Sequence, residues 1–141
     1  DPLHWTTHEQ DDIIQKCRHT KRQIKTVLLD QSTISGVGNI YACEALFAAK
    51  ISPFRQTKSL RKEEMSRLLK AAEVILKQAV SDGGTSFSDY EQPDGQLGQH
   101  YDRRLVFQRA HESCKTCGTL IKVRTQHGRS TFYCPHCQNT R

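Results

Sequence analysis

The chain has 141 residues, 35% of them hydrophobic, and a formal net charge of +6. That length suits one domain, or two small ones sharing a boundary, around a modest core. No stretch approaches the roughly eighteen apolar residues of a membrane span, and no basic segment leads into an apolar run as in a signal peptide. The chain opens at Asp1-Pro2 without Met, so a fragment of something longer is expected.

The first hundred residues read as helical. Thr7-His8-Glu9-Gln10 has the form of a capping box, a Thr hydroxyl serving the third helical amide and Gln10 reaching back. Ile13, Ile14 and Cys17 then share a helical face. Thr20–Gln23 repeats the signal before Ile24, Val27 and Leu28. A third helix is expected after Gly38, carrying Ile40, Ala42, Cys43, Leu46 and Phe47, with Cys43 a small buried hydrophobe. Pro53 closes that region. Ser59 is expected to cap a fourth helix through Val80, with Leu68, Leu69, Ala72, Ile75, Leu76 and Ala79 as its core stripe and Gly83-Gly84 as its stop. From Thr85 to Arg104 the periodicity disappears, as in a functional or disordered loop. Leu105-Val106-Phe107 reads as a short strand leading into the C-terminal segment.

That segment holds four of the six cysteines, as Cys114-x2-Cys117 and Cys134-x2-Cys137 with sixteen residues between the pairs. Two residues between cysteines let a tight knuckle aim both sulfurs at one point, and a hairpin brings the second knuckle there to complete a tetrahedron. One structural zinc ion per chain, held by Cys114, Cys117, Cys134 and Cys137, is therefore expected. Disulfides are the alternative, but nothing in the sequence points to secretion. His111 and His136 flank a site that is already full, and both are expected at the surface. Between the knuckles, Leu120–Thr125 and Ser130–Cys134 alternate as two strands around a Gln126–Gly128 turn. Arg129 then falls beside the hairpin tip.

Charge is distributed unevenly. Residues 1–100 balance thirteen basic against thirteen acidic residues, whereas 101–141 hold eight basic and two acidic. A concentrated basic region suits a polyanion such as nucleic acid, with a solvated basic surface as the bland alternative. Gly36-Val37-Gly38-Asn39 supports the first reading. A glycine turn running into a helix exposes helix-end amides that can bind phosphate, with Lys25 on the preceding helix adding a cation. Alone, such a turn is more often only a turn.

Several blocks of residues resemble one known family. Leu28-Leu-Asp-Gln31, Gly36-Val-Gly-Asn-Ile-Tyr-Ala42 and Glu44-Ala-Leu-Phe47 resemble the helix-two-turn-helix region of the formamidopyrimidine-DNA glycosylase/endonuclease VIII family. Cys114-x2-Cys117-Gly118 and Arg129–Gln138 resemble its C-terminal zinc finger. The likeness covers nearly the whole chain, and the Gly83–Arg109 region is closer to the formamidopyrimidine branch. It implies a mainly α fold with a small β zinc finger: a helix-two-turn-helix bundle over 1–84, a lesion-covering loop over 85–104 and a four-cysteine zinc-ribbon hairpin over 105–141. It implies the DNA-binding portion of a base-excision-repair glycosylase and abasic-site lyase acting on oxidised purines. The expected partner is double-stranded, damaged DNA, bound by a monomer in the bacterial cytoplasm.

Residue by residue, Asn39 resembles the family's phosphate-binding Asn, Gly38 offers a backbone amide, and Lys25 matches a basic position on the helix before. Arg129 resembles the finger Arg that grips the backbone beside the lesion, and Ser86–Gly98 resembles the segment over the flipped base. The family's chemistry begins at an N-terminal Pro followed by Glu. Pro2 is not that residue, since Leu3 follows it, so no catalytic residue is assigned and the chain alone is expected to be inactive. Where the family usually has Tyr-Gly-Arg-x-Gly, this chain reads Phe107-Gln-Arg-Ala-His111. A non-enzymatic zinc-ribbon interaction module is the alternative function, and it has no need of the Gly-Val-Gly-Asn turn. A chain that is itself catalytic would need an acid/base pair, and none stands out.

Overall fold

A computed structural model of the chain describes residues 6–30, 38–82 and 102–139. Gly36, Val37, the Gly83-Gly84 stop and the Ser86–Gly98 segment lie outside the described residues, as do Pro2 and Arg141.

Helix α1 (Thr7–Cys17) is capped by Thr6, whose hydroxyl accepts from the Glu9 amide at 3.1 Å. The cap therefore lies one residue before the Thr7 read from sequence. The reason is chemical: with Thr6 as cap the third helical residue is Glu9, whose carboxylate also faces the positive end of the helix dipole. Helix α2 (Ile24–Leu29) has no side-chain cap. The Thr20 hydroxyl accepts from the Arg22 amide at 3.3 Å in a local turn, and Gln23 forms a single β-bridge with Gln56, so Thr20–Gln23 is not a capping box. Helix α3 (Asn39–Ala48) follows Gly38 as expected. Helix α4 (Lys62–Ser81) starts after a 3-10 turn, Thr57–Ser59, and its cap is Arg61 rather than Ser59. The Ser59 hydroxyl instead donates to the Gln56 carbonyl at 2.7 Å. Glu64 fixes the helix start. It accepts the Arg61 amide at 2.9 Å and a two-pronged bond from Arg55 at 2.6 and 3.2 Å. That guanidinium holds the carboxyl pKa down to about 2.

The helices share one apolar core in which Ile24, Leu28, Leu46, Ile51, Leu68 and Leu69 are fully buried. Each contributes roughly 1.5–3 kcal/mol by leaving water. Helix α3 has a second apolar face. Its Cys43 and Phe47 pack with Val106, Cys114, Ile121 and Cys134 of the C-terminal segment. One helix thus belongs to both cores, which is why α3 is buried nearly all round while α1 buries only a stripe.

Strands β1 (Lys122–Gln126) and β2 (Arg129–Tyr133) form an antiparallel hairpin, with Gln126 opposite Arg129 and Lys122 opposite Tyr133. The turn is two residues, His127 and Gly128, with φ of +50° and +81°. Two consecutive positive φ values give the turn whose twist matches that of a hairpin. Gln126 is therefore the last residue of β1 and not part of the turn. Phe54 meets the edge of Tyr133 at 5.1 Å between ring centroids, and Arg124 lies 4.3 Å over the Phe54 ring.

Leu105-Val106-Phe107 is not a strand. Its three successive amides donate to one buried carboxylate, Glu44 on α3, at 2.8, 2.9 and 2.9 Å. Amides converging on a single acceptor cannot serve a β-ladder, whose donors alternate in direction. Burial pushes the Glu44 pKa up, and the three amides and Arg104 pull it back.

Candidate metal centre and nucleic-acid interface

The two knuckles bring Cys114, Cys117, Cys134 and Cys137 together, with all four sulfurs within 4.8 Å of one another. Cys114 and Cys137 are 3.9 Å apart, and Cys117 and Cys134 are 3.5 Å apart. A zinc ion with Zn–S bonds of about 2.3 Å spaces its sulfurs about 3.8 Å apart in a tetrahedron. The cluster fits one zinc ion in size, donor type and number. Gly118 makes the first knuckle possible: its φ is +80°, and its amide donates to the Cys114 carbonyl at 2.8 Å. In the second knuckle the Cys137 amide points at the Cys134 sulfur at 3.4 Å. His111 and His136 are exposed and lie outside the ligand cluster.

Gln138 is a supporting residue that the cysteine spacing does not single out. Its buried side chain accepts the Cys134 amide at 2.8 Å and donates to the Ile51 carbonyl at 3.1 Å. It thus ties the second knuckle to the loop after α3. Its sequence signal is weak, a Gln one residue past the last ligand.

The four residues read as phosphate ligands meet at the other end of the hairpin. Gly38 is the N-cap of α3 with no side-chain cap bond, and open space surrounds the position a Cβ would take. The first-turn amides of α3 are therefore turned out of the helix end. Asn39 donates its Nδ2 to the Ser130 carbonyl at 3.1 Å. Lys25 donates to the Thr131 hydroxyl at 2.7 Å and to the same Ser130 carbonyl at 3.4 Å. Arg129 precedes that carbonyl, is exposed, and makes no ion pair or side-chain hydrogen bond among the described residues. Helix α3, helix α2 and strand β2 thus converge on one backbone carbonyl. Lys25 is only 1% exposed, so its charge lies under the surface and not on it. Burial lowers its pKa, Cys43 opposes that, and Arg129 lowers it further. A recess of about 200 Å³ between α2 and the hairpin tip is lined by Arg22, Lys25, Asp30, Gln126, His127 and Arg129.

The approach to the finger carries the departure seen in sequence. Gln108 and His111 have φ of +58° and +71°, the left-handed region in which glycine is free of strain. The turn is kept without glycine, and the side chains take the cost, about 1–2 kcal/mol per residue. His111→Gly is expected to raise thermal stability by about 0.5 kcal/mol, since relief of strain exceeds the added freedom of the unfolded chain. His111→Val is expected to lower it by more than about 1 kcal/mol, because a β-branched residue tolerates this region worst. Thermal melts of the two zinc-loaded variants check the order. The His111 amide bond to the Ile121 carbonyl, 2.9 Å, is available in both.

Comparison with known proteins identifies both folded parts. Residues 1–91 match the formamidopyrimidine-DNA glycosylase H2TH domain, and residues 112–140 match the zinc finger found in FPG and IleRS. The formamidopyrimidine-DNA glycosylase of Gluconobacter oxydans is 47% identical over 123 residues, which are 86% of this chain and 44% of that protein. That of Edwardsiella ictaluri is 43% identical over 127 residues, 89% of this chain and 47% of the relative. The crystal structure of MutM (Fpg) from Thermus thermophilus covers all of this chain and 53% of its own, with a TM-score of 0.86 and 40% identity. Lactococcus lactis Fpg in complex with DNA containing an abasic site covers 95% of this chain and 50% of its own, with a TM-score of 0.82 and 32% identity. The chain therefore spans less than half the length of these curated relatives and about half of these solved chains. With both of its folded parts matched in order, this chain belongs to the formamidopyrimidine-DNA glycosylase family.

Proposed function

We propose that this chain is the DNA-binding half of a base-excision glycosylase and abasic-site lyase acting on oxidised purines. It holds duplex DNA by its phosphates beside the lesion, as a monomer in the bacterial cytoplasm, and does not cleave DNA by itself. The observation that carries this reading is the convergence at Ser130. Exposed Arg129, buried Lys25 and the open N-terminus of α3 gather around one point. Neither Lys25 nor Arg129 has a carboxylate bonded to it among the described residues. Such a concentration of positive potential suits a phosphate. Arg129 would grip a phosphate directly, the Asn39 amide and the helix end would add neutral donors, and Lys25 would raise the potential from beneath. Zinc here supplies structure, since four cysteines leave no open coordination position.

The alternative, a zinc-ribbon module that binds protein only, has no use for a helix N-terminus locked to the hairpin 91 residues away in sequence. Arg129→Ala should weaken binding to a short duplex carrying one abasic site by roughly 10–100-fold, the loss of one charge-assisted contact. Arg18→Ala removes equal charge beside a separate groove between α1 and α4 and should change affinity less than about threefold, the ordinary size of a surface substitution. With two to three phosphates neutralised, affinity of the unaltered chain should fall about 10–40-fold between 50 and 200 mM salt. Equal losses for the two variants, or affinity indifferent to salt, would exclude Arg129 as a phosphate ligand.

A further inference from the structure

We propose that Gln126 is the positioning residue that aims Arg129; this rests on the reading of Arg129 as a phosphate ligand. Gln126 and Arg129 face one another as the pair that closes the two-residue turn. Their side chains have opposite fates. Arg129 is exposed, while Gln126 is 8% exposed and fully engaged with the helical body. Its Nε2 donates to Gln23 Oε1 at 2.7 Å and to the Pro53 carbonyl at 3.1 Å. Its Oε1 accepts from the Thr131 hydroxyl at 2.7 Å, and that hydroxyl in turn accepts from Lys25 Nζ, also at 2.7 Å.

The direction of every proton in this run of hydrogen bonds is fixed. Lys25 can only donate, so the Thr131 proton is committed to Gln126. Pro53 offers only a carbonyl, so the Gln126 amide cannot turn over without setting oxygen against oxygen. A buried amide with both donors and its acceptor satisfied in one orientation holds its backbone in one place. The metal cannot do this. Arg129 precedes Cys134 by five residues of extended chain, about 16 Å at roughly 3.3 Å per residue. Phe54 and Arg124 hold the middle of the hairpin, and Lys25 and Asn39 hold the β2 side at Ser130. Gln126 is the β1 anchor nearest the tip. Without it, the last pair of a two-stranded hairpin frays, since such hairpins are marginal alone. A phosphate contact by a long guanidinium depends on the base of its side chain being fixed.

The test is a double-mutant cycle on the zinc-loaded chain, with the dissociation constant for a short duplex carrying one abasic site as readout. Gln126→Leu keeps size and removes all three bonds. Gln23→Ala, the milder variant, removes one acceptor from the helical side. Gln126→Leu is expected to weaken binding about five- to tenfold and Gln23→Ala about two- to threefold, with zinc still at one per chain. Combined with Arg129→Ala, each is expected to add less than about twofold, because there is no longer a guanidinium to aim. Losses of the same size with and without Arg129→Ala would overturn the proposal, since the network would then act on binding independently. If Arg129→Ala weakens binding and neither network variant does, the positioning role falls while the phosphate reading of Arg129 stands. If Arg129→Ala has no effect, the phosphate reading falls and this proposal with it.

Discussion

Chelation of zinc from this chain is expected to unfold the finger while the helical core stays folded. The two cores differ in what holds them. The helical one buries Ile24, Leu28, Leu46, Ile51, Leu68 and Leu69 without help from any ligand. The other consists of Cys43, Phe47, Val106, Cys114, Ile121 and Cys134, so two of its six members are metal ligands. Its sheet, among the described residues, is one two-stranded hairpin, which is marginal in water by itself. Zinc binding in sites of this kind is worth roughly 10–16 kcal/mol at neutral pH, at least as much as the roughly 1.5–3 kcal/mol from each of Phe47, Val106 and Ile121 combined. Hydrogen exchange after chelation checks it residue by residue. The Cys114 and Ile121 amides, bonded to the Thr119 and Glu112 carbonyls at 2.7 and 2.9 Å, should lose protection. The Leu68 and Leu69 amides of α4 should keep theirs. DNA affinity should fall together with the finger amides, because Arg129 and Ser130 lie on the hairpin. Retained protection at Cys114 and Ile121 after verified metal loss would mean that zinc is not structural.

The metal site and the helices are legible in sequence for the same reason: both are local patterns. Two knuckles sixteen residues apart state their own geometry, and the apolar stripe of α4 repeats with the helix period. Helix starts are less legible. Thr6, Thr7, Ser59 and Arg61 compete within a residue or two, and the winner is set by which N3 side chain is engaged: Glu9 for α1, and Glu64, already held by Arg55, for α4. Contacts between distant segments are not legible at all. In sequence Glu44 is one acidic residue in a motif, and Leu105–Phe107 has the pattern of a strand. Only the fold reveals that the first takes the amides of the second, 61 to 63 residues away. Lys25 is legible as a cation in the right place, but its burial against Thr131 is not, since that depends on a hairpin 106 residues downstream. The left-handed residues Gln108 and His111 are the converse case. Two missing glycines suggest a changed backbone, whereas the backbone takes the φ values that glycine would suit.

Glu44→Ala is expected to be among the most damaging single substitutions outside the cysteines, and to separate the finger from the helical body without stripping its zinc. Glu44 lies on α3 five residues after Asn39 and directly after Cys43, a member of the finger's core. The residue is 2% exposed, and its carboxylate takes three backbone donors within 2.9 Å. Removing it leaves three inward-facing amides without an acceptor, each costing about 1–3 kcal/mol, so a loss of roughly 3–9 kcal/mol is expected where the finger joins α3, toward the lower end where water reaches them. Glu44→Gln keeps the volume but turns a carboxamide NH2 toward backbone amides that are themselves donors. It can satisfy one oxygen's share of the bonds and should lose roughly half as much. Neither change touches a zinc ligand, so metal content should stay at one per chain in both. Affinity for abasic duplex should nevertheless fall, because phosphate binding needs Arg129 on the hairpin and the open end of α3 held in register. Thermal denaturation, zinc analysis and a DNA titration on the two variants separate the possibilities. Loss of zinc alongside loss of stability would mean that Glu44 supports the knuckles directly. Stability and DNA affinity both unchanged would mean that the three amides find water, and that the remaining contacts, among them those of Lys25, Asn39, Gln126 and Gln138, hold the finger in place without Glu44.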